Sequence, residues 1–125
     1  RRAREVLATE QVANGVLLRG FSSRPDVATF EQLYNLRSGA IAIYPMYRGV
    51  AKLVGMDSLD AGNDLKEQAE SLSRAVSDGY DFLFVHHKDT DTAGHSGDFD
   101  AKVAAIETFD AALPSFLEAG LDVVA

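Results

Sequence analysis

The residues best suited to chemistry lie in the stretch 86–100, which contains three histidines and several aspartates directly after the apolar run "YDFLFV". Within it, Asp91 and His95 form an Asp-x-x-x-His pair, and Gly94 precedes the histidine. A glycine beside a ligand lets the backbone turn tightly, so that a carboxylate and an imidazole can converge on one ion. Mixed oxygen and nitrogen ligands suit Mn²⁺, Zn²⁺ or Fe²⁺ better than Ca²⁺. The pair predicts part of a metal site, since two ligands do not complete one. The alternative is a solvated loop whose aspartates cap the next helix.

The neighbouring side chains leave two interpretations open. His86 continues the alternation of the apolar run, and is either a buried structural histidine or part of an active site. His87 is then expected to point in the opposite direction. Lys88 either pairs with a phosphate or lies at the solvated rim of the loop.

Two arginines are placed where they could hold an anion. Arg19 follows the apolar run "GVLL" and Arg48 follows "YPMY". An arginine just beyond a buried strand can grip a phosphate or a carboxylate with both arms of its guanidinium group. The alternative for each is an ordinary surface arginine.

The elements that must position these groups alternate between short apolar runs and amphipathic segments. The apolar runs predict strands over 14–21, 38–44, 80–87 and 121–125. Helices are predicted within 29–34, 45–56, 60–79 and 99–120, with a loop over 88–98. This alternation indicates an α/β fold with a mostly parallel sheet and helices on both faces. Ligands of such sheets bind beyond the carboxyl ends of the strands, which is where residues 86–95 fall.

Length and composition limit the classes of function. A chain of 125 residues is long enough for one core, and its net charge of −7 argues against a nucleic-acid partner, which needs a basic face. Without cysteine the chain forms neither disulfides nor thiolate metal sites. No apolar stretch approaches the roughly 20 residues of a membrane helix, so a cytoplasmic protein without a membrane partner is predicted. The chain begins without methionine and stops within an apolar run, which suggests a piece of a longer protein.

Several segments together resemble the archaeal type of cofactor-independent phosphoglycerate mutase, a family in the alkaline phosphatase superfamily. They are "ANGVLLRGFSSRP", "AIAIYPMYRGVAKLVGM" and "YDFLFVHHKDTDTAGHSGDFDAKVAAIETFD". The resemblance implies interconversion of 3-phosphoglycerate and 2-phosphoglycerate in glycolysis and gluconeogenesis. It also implies two divalent metals, commonly Mn²⁺ with Mg²⁺, Zn²⁺ and Co²⁺ as alternatives, and a serine that is transiently phosphorylated.

The same resemblance assigns roles to four residues. Asp91 and His95 match the family's pair of ligands to one metal. Arg19 resembles a substrate-binding arginine, and Arg48 falls, by a looser match, where the family carries a basic residue near the metals and phosphate. Residues 1–24 would be the tail of an inserted transferase domain, and residues 25–125 part of a phosphatase-like, metal-binding domain.

Other parts of the family's machinery are expected outside this sequence. The nucleophilic serine and an aspartate ligand should precede Arg1, and an Asp-His-Ser metal motif should follow Ala125. No catalytic residue is therefore assigned within the chain, and the fragment alone is predicted to be inactive. Strands that it lacks would leave a sheet edge exposed, through which two copies could associate.

Two other interpretations remain. One is another metal-dependent member of the superfamily, such as a phosphopentomutase, a phosphonate hydrolase, a sulfatase or a phosphonopyruvate decarboxylase-like paralogue; "LLRGFS" and "YPMYRG" favour the mutase. The other is a non-catalytic α/β binding module with a flavodoxin-like layout. The incomplete metal site argues against the module, which would need a whole site of its own.

Overall fold

Three parallel strands form the centre of the computed structural model, which describes residues 2–122. Their order is β2-β1-β3, so the chain crosses over β1 on its way from the second strand to the third. The elements in chain order are α1 (Arg2–Val6), α2 (Phe30–Tyr34), β1 (Ser38–Ala42), α3 (Pro45–Leu53), β2 (Asp57–Ser58), α4 (Leu65–Ser77), β3 (Phe82–His86), α5 (Asp89–Ser96) and α6 (Phe99–Leu117).

Strand β1 is the buried middle of the sheet, and all five of its residues are shielded from solvent. It pairs in parallel with β3, with Ile41 beside Val85 and Ala42 beside His86. Because neighbouring residues in parallel strands point to the same face, Ile41 and Val85 share one face of the sheet and Ala42 and His86 share the other. At the opposite end of β1, Gly39 lets the Leu59 side chain pack closely on the strand, since a Cβ at position 39 would lie 2.7 Å from Leu59 Cδ1.

The core lies on the face that carries Ile41 and Val85, under α4 and α6. Leu65, Ala69 and Leu72 of α4 share one side of the helix and pack on Ile41, with Phe116 of α6 beside them. Helix α4 begins at Asp64, whose carboxylate accepts a hydrogen bond from the Glu67 amide at 2.8 Å. The predicted amphipathic helix over this stretch is confirmed.

The other face of the sheet is covered by α2 and α3. The Phe30 ring of α2 lies 4.5 Å from the ring of Phe82, and the Tyr47 ring of α3 lies 6.4 Å from that of Phe84. Helix α2 begins with a capping box, in which Thr29 and Gln32 each bind the other's backbone amide. Helices therefore cover both faces of a parallel sheet, which confirms the predicted α/β fold.

The predicted strand over 14–21 is wrong. These residues form no regular structure and are exposed, with Leu17 at 78 % exposure. A strand needs a neighbour for its backbone hydrogen bonds, and no described strand pairs with this segment. Apolar composition alone was not sufficient to predict a strand here.

The predicted loop over 88–98 is also wrong, because most of it is the helix α5. Glycines and short polar residues suggested a loop, yet Asp89 and Asp91 lie in the first turn, where carboxylates favour a helix. The two-residue strand β2 was not predicted. The predicted strand over 121–125 falls largely on residues outside the described part, although Leu121 packs against the core.

Helix α6 leaves much of its apolar stripe uncovered. Phe116 is its one buried side chain among the described residues, whereas Ile106 is 50 % exposed and Phe99 is 78 % exposed. Between residues 2 and 122 no helix combines the length and the apolar character needed to cross a membrane.

Candidate metal and phosphate site

The candidate site lies at the carboxyl ends of β1 and β3, which meet at the same edge of the sheet. A cleft of about 520 Å³ opens there. Tyr44 borders it after β1, His87 and Lys88 border it after β3, and Asp64 at the start of α4 closes another side. Parallel strands with helices on both faces bind ligands in this position.

Helix α5 presents the two predicted ligands together. Asp91 and His95 are four residues apart, so they occupy one face of the helix, and Asp91 Oδ1 lies 3.6 Å from His95 Nε2. Two ligand atoms each about 2.1 Å from one ion lie roughly 3.0–3.4 Å apart, so a small side-chain rotation suffices. Gly94 is part of this helix and does not form the tight turn expected there. Helical spacing brings the pair together.

Lys88 also contacts this pair. Its ammonium group donates a hydrogen bond to the Asp91 carboxylate and lies 5.4 Å from the centre of the Tyr44 ring. This hydrogen bond is the main reason that the pKa of Asp91 is lowered and the pKa of Lys88 is raised. Asp91 is thus held as a carboxylate, the form that binds cations.

The two histidines at the end of β3 point to opposite faces, as the alternation predicted. The His86 ring stacks on Tyr47, with ring centres 3.6 Å apart, and the His87 ring lies 6.0 Å from that of Phe109. Burial is the main cause of a lowered pKa for His86, with Lys88 and His87 adding to it. Its Nδ1 atom is buried and has no hydrogen-bond partner among the described residues.

The roles of two polar residues that support this edge of the sheet were not predicted from the sequence. Gln68 is completely buried beneath the sheet and donates a hydrogen bond from Nε2 to the His86 carbonyl at 3.3 Å, which ties α4 to the end of β3. Lys102 on α6 donates to the Thr90 carbonyl of α5 at 2.7 Å. The signal for Gln68 was a polar residue within the apolar stripe of α4. The sequence carried no comparable signal for Lys102, because a lysine near a helix start usually faces solvent.

The two predicted substrate arginines are exposed. Arg48 lies in the first turn of α3, directly after β1, so its helix begins at the edge that carries the cleft. Arg19 lies in the irregular segment, so its expected position at the end of a buried strand is wrong. Within the described part of the chain, neither forms a hydrogen bond or an ion pair with Asp91 or His95.

The donor atoms fit part of a divalent-metal site. A carboxylate oxygen and an imidazole nitrogen are suitable ligands for Mn²⁺ or Zn²⁺, and helix α5 already brings them together. Over residues 2–122, no group of three or more His, Asp or Glu side chains is arranged to hold an ion. A complete site needs further ligands, from protein or from water.

Known proteins match this chain along nearly all of its length. It is 46 % identical to a probable 2,3-bisphosphoglycerate-independent phosphoglycerate mutase of Aquifex aeolicus and 46 % identical to one of Deinococcus radiodurans, with 99 % of the chain covered in both. It spans only 30 % and 31 % of the lengths of those relatives. In structure, it resembles the PH0037 protein of Pyrococcus horikoshii with a TM-score of 0.73 and 27 % identity, over 94 % of this chain and 32 % of that one.

A family model also covers almost the entire sequence. It is the model of the metalloenzyme superfamily, and it matches residues 5–123. The matched range contains the whole sheet, the cleft and the Asp91–His95 pair. The chain belongs to the metalloenzyme superfamily.

Proposed function

We propose that this chain is part of a metal-dependent, cofactor-independent phosphoglycerate mutase. The enzyme is an isomerase that interconverts 3-phosphoglycerate and 2-phosphoglycerate through a phosphoserine. The observation that carries the proposal is the Asp91–His95 pair, on one face of α5 at the carboxyl edge of a parallel sheet. The names of the relatives support the same reaction. Since the chain spans about 30 % of their length, the activity belongs to the full-length protein, called here the intact protein.

Phosphoryl transfer requires mainly positioning and stabilisation of charge, and this chain offers groups for both. Divalent ions, with Mn²⁺ preferred, supply positive charge that stabilises the phosphoryl group in transit. Asp91 and His95 would hold one of two such ions, and the hydrogen bond from Lys88 further favours the charged form of Asp91. The nucleophilic serine and the remaining ligands lie outside this chain.

The arginines bind the anionic ends of the substrate. Arg48 stands in the first turn of α3, directly after the carboxyl end of β1, and offers a guanidinium group to a phosphate or carboxylate. Arg19 lies in the exposed segment before the sheet and offers a second guanidinium group. The substrate class is a small phosphorylated three-carbon acid.

The division into domains is proposed on the change of structure along the chain. Residues 1–24 are the tail of an inserted transferase domain, and residues 25–125 are part of the phosphatase-like domain. Apart from the short, exposed helix α1, the backbone before residue 29 is irregular and exposed, and packed elements begin with α2, which supports this division. As a glycolytic enzyme, the protein acts in the cytoplasm, with no nucleic-acid or membrane partner.

The test is an assay of the intact protein for conversion of 3-phosphoglycerate to 2-phosphoglycerate with and without Mn²⁺. Activity is expected to require the metal and to fall more than about 100-fold in Asp91→Ala and in His95→Ala, since loss of a group that merely orients a metal ligand already costs 10–100-fold. Asp110→Ala, an exposed aspartate on α6, is the matched control and should retain activity. A folded, metal-loaded protein without mutase activity would instead indicate a sister phosphatase or phosphonate enzyme.

A further inference from the structure

The turn between α5 and α6 lets one side chain reach back across it. Gly97 ends α5 in the left-handed conformation, with φ at 70°, and Asp98 caps the start of α6. Lys102 follows one turn later and extends back toward α5, where its Nζ atom donates to the Thr90 carbonyl at 2.7 Å. That carbonyl belongs to the residue immediately before Asp91. The lysine therefore holds α5 at the turn that carries the candidate metal ligand.

Gly94 allows this approach. A Cβ atom at position 94 would lie 3.7 Å from Lys102 Nζ, at ordinary contact distance. The ammonium group therefore lies close to α5 beside the residue that has no side chain. An alanine fits at that distance, whereas a long side chain would occupy the path of the lysine. The glycine next to His95 thus has a role different from the tight turn that the sequence suggested.

Helix α5 needs such a contact to keep its position. It has eight residues, none of them buried, and isolated helices of that length are unstable in water. Its main packing neighbour is α6, which carries Lys102. The orientation of Asp91 and His95 therefore depends on how firmly α5 is held against α6.

We propose that Lys102 is a positioning residue for the metal site. It ties α5 to α6 through the Thr90 carbonyl, and a small residue at position 94 leaves the path of the lysine open. The inference rests on the proposed function only in taking Asp91 and His95 as metal ligands.

The direction in which loss of Lys102 changes the metal affinity distinguishes a positioning role from a purely electrostatic one. A lysine close to a metal site repels a divalent cation, so loss of its charge alone would tighten metal binding. Loss of a positioning contact has the opposite result, because ligands that are held less firmly bind more weakly. Changes to groups that orient metal ligands typically cost 10–100-fold in metal affinity.

The experiment measures the dissociation constant of Mn²⁺ for the intact protein, from the electron paramagnetic resonance signal of the free ion. Lys102→Met is expected to weaken binding about 10-fold and Lys102→Arg, which keeps a donor, to restore most of it. Lys52→Met is the matched control on α3, and its affinity should equal that of the wild type. Amide hydrogen exchange in α5 should be faster in Lys102→Met than in the wild type, and Lys52→Met should leave it unchanged.

Position 94 gives a second, independent comparison. Gly94→Ala should bind Mn²⁺ like the wild type, whereas Gly94→Leu should weaken binding as Lys102→Met does. The double variant Gly94→Leu with Lys102→Met should be no weaker than either single one, because both remove the same contact.

Unchanged or tighter binding in Lys102→Met, with wild-type exchange in α5, would overturn the inference. Such a result would leave the proposed function standing, because the wild type would still bind Mn²⁺ and react. Failure of the wild type itself to bind Mn²⁺ would overturn both.

Discussion

At the scale of single residues, the end of β3 and the helix α5 that follows it place their side chains in different environments. The His86 side chain is stacked on Tyr47 and partly withdrawn from water, whereas Asp91 and His95 stand at the surface of α5. Burial disfavours the charged imidazole, so the pKa of His86 lies below its usual value of 6.5. The two surface groups remain available to a cation.

This environment gives His86 a pH dependence with a definite sign. Well above pH 6.5 the imidazole is neutral in the folded and the unfolded protein, so its protonation has no influence on stability. As the pH falls below 6.5, the unfolded chain takes up the proton first, and the free energy of unfolding decreases until the pH passes the lower, folded-state pKa.

We expect an NMR titration of the intact protein to show His86 titrating below 6.5. Tyr47→Ala removes the stacked ring and exposes the imidazole, so the pKa of His86 should rise toward that value. Tyr34→Ala, which removes a ring packed on Phe30 instead, is the control and should leave it unchanged. A wild-type pKa at or above 6.5 would contradict this account of the environment.

At the scale of the elements, the site depends on how helices end and begin. Gly97 has a positive φ, which costs other residues roughly 1–2 kcal/mol. Gly49 lies within α3 in a helical conformation with open space around it, and a glycine inside a helix is less stable than alanine.

The two glycines should therefore respond in opposite ways to the same substitution. Gly97→Ala is expected to lower the free energy of unfolding by about 1 kcal/mol. Gly49→Ala is expected to raise it by about 0.5–1 kcal/mol. Both changes in the free energy of unfolding are measured by urea denaturation of the intact protein. The transition to follow is the one in which this sheet unfolds. Equal effects of one sign would show that the backbone conformations differ from those described.

The sequence correctly predicted those elements whose periodic apolar residues are the ones that pack in the fold. Helix α4 and strand β3 have strong periodicity, and both were placed within a few residues. The segment 14–21 is as apolar as a strand, but no described strand pairs with it, and pairing is not visible in the segment's own composition. Helix α5 was not predicted because its glycines and short polar residues resemble a loop, and its packing on α6 is not visible in its own sequence.

The candidate site was predictable only in part for a similar reason. The spacing of Asp91 and His95 was visible in the sequence, but a helix brings them together and not the glycine turn that was predicted. The roles of Gln68 and Lys102 depend on contacts across 18 and 12 positions of the chain, respectively. Such contacts become visible only when the elements are packed.

At the scale of the whole molecule, the apolar stripe of α6 leaves large hydrophobic side chains exposed to solvent. Phe99, Val103 and Ile106 follow one another at helical spacing and are all exposed or nearly so. Contiguous apolar surface of this kind marks a contact with other protein. A chain that spans about 30 % of its relatives' length leaves ample protein to cover it.

We expect this chain, produced alone, to self-associate through that stripe or through the edge of β3 that no strand within residues 2–122 covers. Ile106→Glu should then shift its sedimentation toward the monomer, while Glu107→Gln, a matched change beside it on α6, should not. In the intact protein Ile106→Glu should lower stability instead, because the stripe is covered there. A chain that is monomeric at high concentration would contradict the expectation.

The most direct measurement of the central claim is anomalous diffraction at the manganese edge from crystals of the intact protein grown with Mn²⁺. The account predicts a peak between the side chains of Asp91 and His95, about 2.1–2.2 Å from one carboxylate oxygen and from Nε2. Manganese bound elsewhere, with neither side chain coordinated, would contradict the assignment of this helix as part of the metal site.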